Sequence, residues 1–241
     1  MIWHLLLAHF VADYPLQPGW MARNKRRPHV LIGHVSIHFL VMLLLAGEAR
    51  SIVWPYLLVL ALAHLLIDIG KETVRHLRPR WVIGPYVVDQ LMHYVTIFLT
   101  GTWIAQAVGP VRLPFTQEVA ILAATYLVAT YVWFISERIF AHGDQSYRSE
   151  VQSQLWLRMG TRAVMLSMFL WVLPGALPRA LPSALLSALG RPGGRAGDLA
   201  IAASVATSVP YISGKHRQRA LWTDVFVSLV MAIFAGIALW R

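Results

Sequence analysis

Long apolar runs of about 16 to 21 residues recur along this chain, each bounded by basic, Gly or Pro clusters, and their length fits a bilayer core of about 30 Å. The pattern predicts an all-α fold, a polytopic transmembrane helical bundle of seven or eight spans. The runs cover 1–16, 30–46, 51–70, 86–105, 117–135, 163–177, 199–212 and 220–240. The first is short for a span at about 1.5 Å rise per residue, and the seventh is short and weakly apolar. Between the fifth and sixth runs, His142 to Arg158 reads as a surface helix or loop, and a connection rich in Pro, Gly and Ala runs from Pro178 to Gly197.

Polar side chains break this pattern at a repeated interval. His64 and Asp68 stand four residues apart inside an apolar run, and so do His9 with Asp13, His34 with His38, and Asp89 with His93. Residues four apart share one face of a helix. Asp13, His34, Asp68 and Asp89 each sit about one turn or less from the span end that meets a basic loop, with His9, His38, His64 and His93 about one turn deeper. Consecutive spans run antiparallel and the pairs alternate between span end and span start, so all eight residues fall in one leaflet, in two layers. The pattern therefore divides the chain into a four-helix unit, 1–105, that carries the His/Asp cluster, and a scaffold, 106–241, of three or four further helices.

An Asp inside a span costs roughly 2.5 to 3.5 kcal/mol and needs a partner. No Lys or Arg lies within the first four spans, and Lys71 stands only at a boundary. Protons on the histidines would balance the aspartates, but five imidazoles and three carboxylates are also a donor set for divalent cations. The chain has no cysteine, which limits metal ligands to nitrogen and oxygen. The expected metal ligands are His9, Asp13, His34, His38, His64, Asp68, Asp89 and His93. Zinc takes about four ligands, so eight candidates allow one or two ions. His4, His29, His76, His142 and His216 lie at interfaces or in loops, where solvent satisfies them. Glu137 with Arg138, and Asp224, are candidate second-half contributors to the site, but they read better as a structural ion pair or interfacial cap.

Composition agrees with a membrane setting: 57% of the 241 residues are hydrophobic and 13% are charged, against about 25% charged in soluble domains. The net charge of +10 is spread over short loops, as topology signals are, and no basic stripe or nucleic-acid-binding motif accompanies it. With the N-terminus external, fifteen of the twenty-one Lys and Arg fall on the cytoplasmic side, Arg158 and Arg162 among them.

The segment Leu7-Ala8-His9-Phe10-Val11-Ala12-Asp13-Tyr14-Pro15-Leu16-Gln17, with His34, His38, His64 to Lys71 and Asp89 to His93, resembles DUF3307, a family of bacterial polytopic membrane proteins. The resemblance covers roughly the first 105 residues and takes in Gln17, Lys71 and Gln90 beside the four pairs. It implies a shared site and names no activity. A looser similarity of pattern links the His-x-x-x-Asp helices to membrane-embedded metal-dependent hydrolases such as the ceramidase-like group, whose Ser-x-x-x-His helix is absent here. The expected function is a metal-dependent hydrolase of the bacterial inner membrane, acting at the cytoplasmic leaflet on a lipid or on an anionic, phosphate-bearing head group. Asp13 and Asp89 would move protons in such a reaction, and Lys71 would hold the anionic substrate. A cation or proton transporter, or a non-enzymatic subunit stabilised by metal, would use the same cluster.

Overall fold

A computed structural model describes residues 1–172 and 216–240; the seventh run, 199–212, and the end of the sixth lie outside the described residues. Among the described residues the chain is helical, with no strand. Two compact units divide it, Met1–Ala120 and Ile121–Arg241.

The first unit is built by α1 (Ile2–Asp13), α2 (Gly19–Asn24), α3 (Pro28–Ala46), α4 (Arg50–Leu77) and α5 (Ile83–Ala107). Proline and glycine set these limits. Pro15 and Pro18 follow the last residues of α1, Pro28 opens α3, and Pro79 follows α4. Between α3 and α4 the chain turns at Gly47, whose φ of 56° suits glycine and whose missing Cβ leaves room for the Pro114 ring. Helix α4 continues past the expected end of its run, so Lys71, Glu72 and Arg75 are helical and do not begin a loop.

α1 packs on α3 and α5, and α4 packs on the same two helices, which closes a four-helix ring. Small residues, Ala8, Ala12 and Ala61, line its inner contacts with Leu5, Leu57 and Ile97. Such residues let helix backbones approach closely. Gly101 on α5 serves the same end, because a Cβ there would meet Ile2 on α1. Outward, the ring is apolar. On α4, Leu66 is 69% exposed while Asp68 is fully buried. Apolar outside and ionisable inside inverts the soluble arrangement and suits hydrocarbon surroundings.

In the second unit, α6 (Gln117–Leu127), which straddles the division, runs through a π-helical turn at Val128–Val132 into α7 (Trp133–Phe140). A polar helix, α8 (Gln145–Ser153), follows, capped by the Asp144 carboxylate accepting from the Tyr147 N–H, and then α9 (Leu155–Val172) and α10 (Arg217–Leu239), which pack together. Arg158 and Arg162 lie on α9 and are buried, so they are not the solvated loop charges expected from their spacing.

Three helical stretches among the described residues are long and apolar enough to cross a membrane: Pro28–Leu77, which comprises α3 and α4, Gln117–Phe140 and Arg217–Leu239. α1 is a shorter apolar helix. These stretches mark a membrane protein.

Candidate metal centre

The i to i+4 spacing places each pair on one helix face, and the ring of α1, α3, α4 and α5 turns those four faces inward. All eight residues meet there, each at most 7% exposed. The deeper layer is made of imidazoles. Ring centroids lie 3.8 Å apart for His38 and His64, 4.1 Å for His64 and His93, and 5.0 Å for His9 and His93.

Four donor atoms converge most closely. Asp13 Oδ1 lies 3.1 Å from His34 Nε2, 3.1 Å from His38 Nε2 and 3.9 Å from His64 Nε2, and the Nε2 atoms of His34 and His64 are 3.2 Å apart. Zinc bound tetrahedrally at 2.0–2.1 Å sets its ligand atoms about 3.3 to 3.4 Å from one another. The observed separations fit that requirement. The four atoms also offer a divalent ion a suitable donor set, three imidazole nitrogens and one carboxylate oxygen. His64, Asp68 and His93 form a second group whose donor atoms lie within 4.8 Å of one another.

Polar neighbours orient these ligands. Asp13 Oδ2 accepts from Gln90 Nε2 at 3.4 Å and faces His9 Nε2 at 3.6 Å. Gln90 Oε1 in turn accepts from the hydroxyls of Tyr14 and Tyr94, and Gln17 donates to the Asp13 backbone carbonyl. Asp89 Oδ2 accepts from Lys71 Nζ at 2.7 Å and Gln90 Nε2 at 3.1 Å. Its other oxygen has no hydrogen-bond partner and stands 3.4 Å from the equally unpartnered His93 Nε2.

The expected absence of basic side chains from the cluster is corrected by Lys25. It follows α2, is 4% exposed, and extends its ammonium into the ring, donating to Asp68 Oδ2 and to His34 Nε2, each at 2.9 Å. Lys71 Nζ lies between Asp89 and Asp68, 3.5 Å from Asp68 Oδ1. Three aspartates therefore meet two ammonium groups. Lys25 was hidden in the sequence by its neighbours, since Arg23, Arg26 and Arg27 make the whole stretch look like a topology signal. The only hint was three carboxylates without a counter-charge. Gln90 is singled out in the sequence only by the family resemblance, and Tyr14 and Tyr94 do not stand out as supporting groups there, because uncharged polar residues contrast little with an apolar run.

Two expected solvated histidines are also corrected. His4 is buried, hydrogen-bonded to the Phe115 carbonyl at 3.0 Å, and His216 is buried against Ser146 Oγ at 3.0 Å. His29, His76 and His142 are exposed.

In the second unit, Glu137 pairs with Arg158 and Arg162 and not with Arg138. Asp224 accepts from the same two guanidinium groups, with Arg162 Nε at 2.6 Å. The Tyr147 hydroxyl donates to Glu137 Oε1, and burial followed by the nearby Glu137 charge pushes this phenol up to about 12, so it remains a donor at neutral pH.

No curated protein and no solved structure matches the chain. The family model described as Protein of unknown function (DUF3307) matches residues 1–122, which carry all four i to i+4 pairs together with Lys25 and Lys71, and the chain belongs to that family.

Proposed function

We propose that this is a metal-dependent hydrolase embedded in the bacterial inner membrane, with Asp13, His34, His38 and His64 holding a divalent cation, most suitably zinc. The observation that carries the reading is the convergence of Asp13 Oδ1 with three Nε2 atoms at separations of 3.1 to 3.9 Å and zinc-like spacing. Seven or eight spans, an external N-terminus and a site at the cytoplasmic leaflet complete the proposal. In this arrangement α1, α3, α4 and α5 form the catalytic unit, 1–105, and 106–241 is scaffold.

A bound divalent cation supplies Lewis acidity and brings the pKa of water toward 7. The chain's own groups supply the rest. A cavity of about 10 Å³, bounded by His9, His38, His64 and His93 with Leu5, Met42, Leu60, Thr96 and Ile97, has room for one water. Asp89 Oδ1, unpartnered and 3.4 Å from His93 Nε2, is placed to receive a proton by way of that imidazole. Asp13 Oδ2, beside His9, offers a second acceptor. Lys71, with the basic residues that follow it, would hold an anionic or phosphate-bearing substrate such as a lipid head group. Eight donors exceed the four that a structural zinc needs, and the surplus favours chemistry over a purely structural tie.

One observation favours a second reading. The contiguous imidazoles His38, His64, His93 and His9 would also line a proton or cation path. Elemental analysis of purified protein, with turnover measured on phospholipid vesicles, separates the two. Stoichiometric metal with chelator-sensitive release of head groups is expected. Metal-free protein whose melting temperature ignores both chelator and zinc would sink the hydrolase reading and leave the proton path. For orientation, Asn24→Cys and Arg78→Cys in this cysteine-free chain should resist impermeant thiol reagents in intact cells. Labelling of both would overturn the external N-terminus.

A further inference from the structure

Lys25 reaches two of the candidate metal ligands, His34 and Asp68. His34 Nε2 has one lone pair, and an ammonium can only donate, so the 2.9 Å contact uses that lone pair for the Lys25 N–H. The ring's other nitrogen, Nδ1, is buried without a partner, so it offers His34 no alternative tie. The same ammonium sits 2.9 Å from Asp68 Oδ2 and 4.0 Å from Asp13 Oδ1, in contact with both groups of candidate ligands. A cation of the chain itself thus occupies the face of the cluster that points toward α2.

We propose that Lys25 is a tethered cation that competes with the metal for His34 and Asp68, so that metal binding expels the lysine and releases the α2 segment from the site. This regulation rests on the metal-centre reading above. The exclusion is strict at His34, because one lone pair cannot serve both an N–H and a metal ion. Electrostatics point the same way, since an ammonium and a dication within one set of ligands repel each other at close range.

Release is mechanically simple. α2 has six residues, of which only Met21 is buried, while Trp20 is 53% exposed, so little apolar contact holds the segment down. Lys25 lies directly after it, and its departure leaves Asp68 with Lys71 as a remaining partner. Once outside, Lys25 joins Arg23, Arg26 and Arg27 on the same short connection. The metal-loaded form therefore gains a positive charge at the mouth of the site, which suits an anionic substrate that arrives after the metal. In the metal-free form the same residue closes the centre and partly neutralises its carboxylates.

Zinc titration of the full chain in detergent micelles tests this, with Lys25→Met and Lys71→Met as the variants. Lys25→Met keeps the side-chain bulk and frees His34, so its zinc affinity should rise about tenfold or more, as it does when a competing state that holds at least about 90% of the population is removed. Lys71→Met removes an equal charge without touching an imidazole and should gain markedly less. In the wild type, acylation of Lys25 by a water-soluble amine reagent, read by peptide mass spectrometry, should be slow without zinc and fast with it. Equal gains in the two variants, unchanged or weaker zinc binding by Lys25→Met, or Lys25 equally protected at saturating zinc would each overturn the competition. If neither wild type nor Lys25→Met binds zinc, the metal centre itself fails. The acylation test on wild type stands even if a variant does not fold.

Discussion

Both units bury charge among apolar helices, but they finish the task differently. In the second unit two carboxylates meet two guanidinium groups, the charges cancel, and none of the polar side-chain atoms of Glu137, Arg158, Arg162, Asp224 or Tyr147 lacks a partner. In the first unit three carboxylates meet two ammonium groups, His34 Nδ1 is buried without a hydrogen-bond partner, and Asp89 Oδ1 and His93 Nε2 face only each other, at 3.4 Å and without a formed hydrogen bond. A saturated neutral network is what a structural tie requires, since any orphaned charge in low dielectric is costly. An unfinished network of ligand-type atoms is what a binding centre retains. The difference teaches that the burial of charge alone does not identify a site. The unspent hydrogen-bonding capacity does.

That contrast is most severely tested at Asp224. Asp224→Ala leaves Arg158 and Arg162 sharing Glu137 alone and should destabilise the protein by about 3 to 5 kcal/mol. Thermal unfolding in detergent should show this loss with or without chelator. A loss that depended on metal would erase the distinction between the two clusters. Asp13→Asn should do the opposite, reducing zinc affinity about 100-fold, or about 2.8 kcal/mol, while changing the melting temperature of chelator-treated protein far less. Unchanged zinc binding in a titration would remove Asp13 from the ligand set.

Lys71→Ala sharpens the division within the first unit. Its contacts are to Asp68 and Asp89 and not to an imidazole, so metal content should stay stoichiometric while turnover of an anionic substrate falls about tenfold. Loss of metal in this variant would make Lys71 part of the binding shell. The smallest effect is expected for Tyr147→Phe. It removes one donor from Glu137, which keeps both arginines, so the cost should be about 1 kcal/mol in chemical denaturation. A cost as large as that of Asp224→Ala would mean that the phenol, and not the ion pairs, holds the second cluster together.

Much of the first unit was legible because a helix converts spacing into direction. His64 and Asp68, or His9 and Asp13, must share a face wherever a helix forms, and apolar surroundings leave that face no stable place except against the other three. The second cluster was poorly legible for the same reason reversed. Glu137 lies next to Arg138 in sequence, which invites a pairing that the helix forbids, since adjacent side chains diverge. Arg158 and Arg162 were counted with the loops because the polar stretch before them, Gln145 to Ser153, hides where α9 begins.

By itself the sequence determined the helical character of the described residues and a His/Asp cluster on α1, α3, α4 and α5, because apolar run length and i to i+4 spacing are local properties that do not depend on distant contacts. Only the tertiary structure decided which cations answer the aspartates. Lys25 reaches Asp68 across 43 positions of chain, and Arg158 reaches Asp224 across 66. Such pairings follow from how helices pack and how far a flexible side chain extends from its turn, and nothing in the spacing of one helix encodes them.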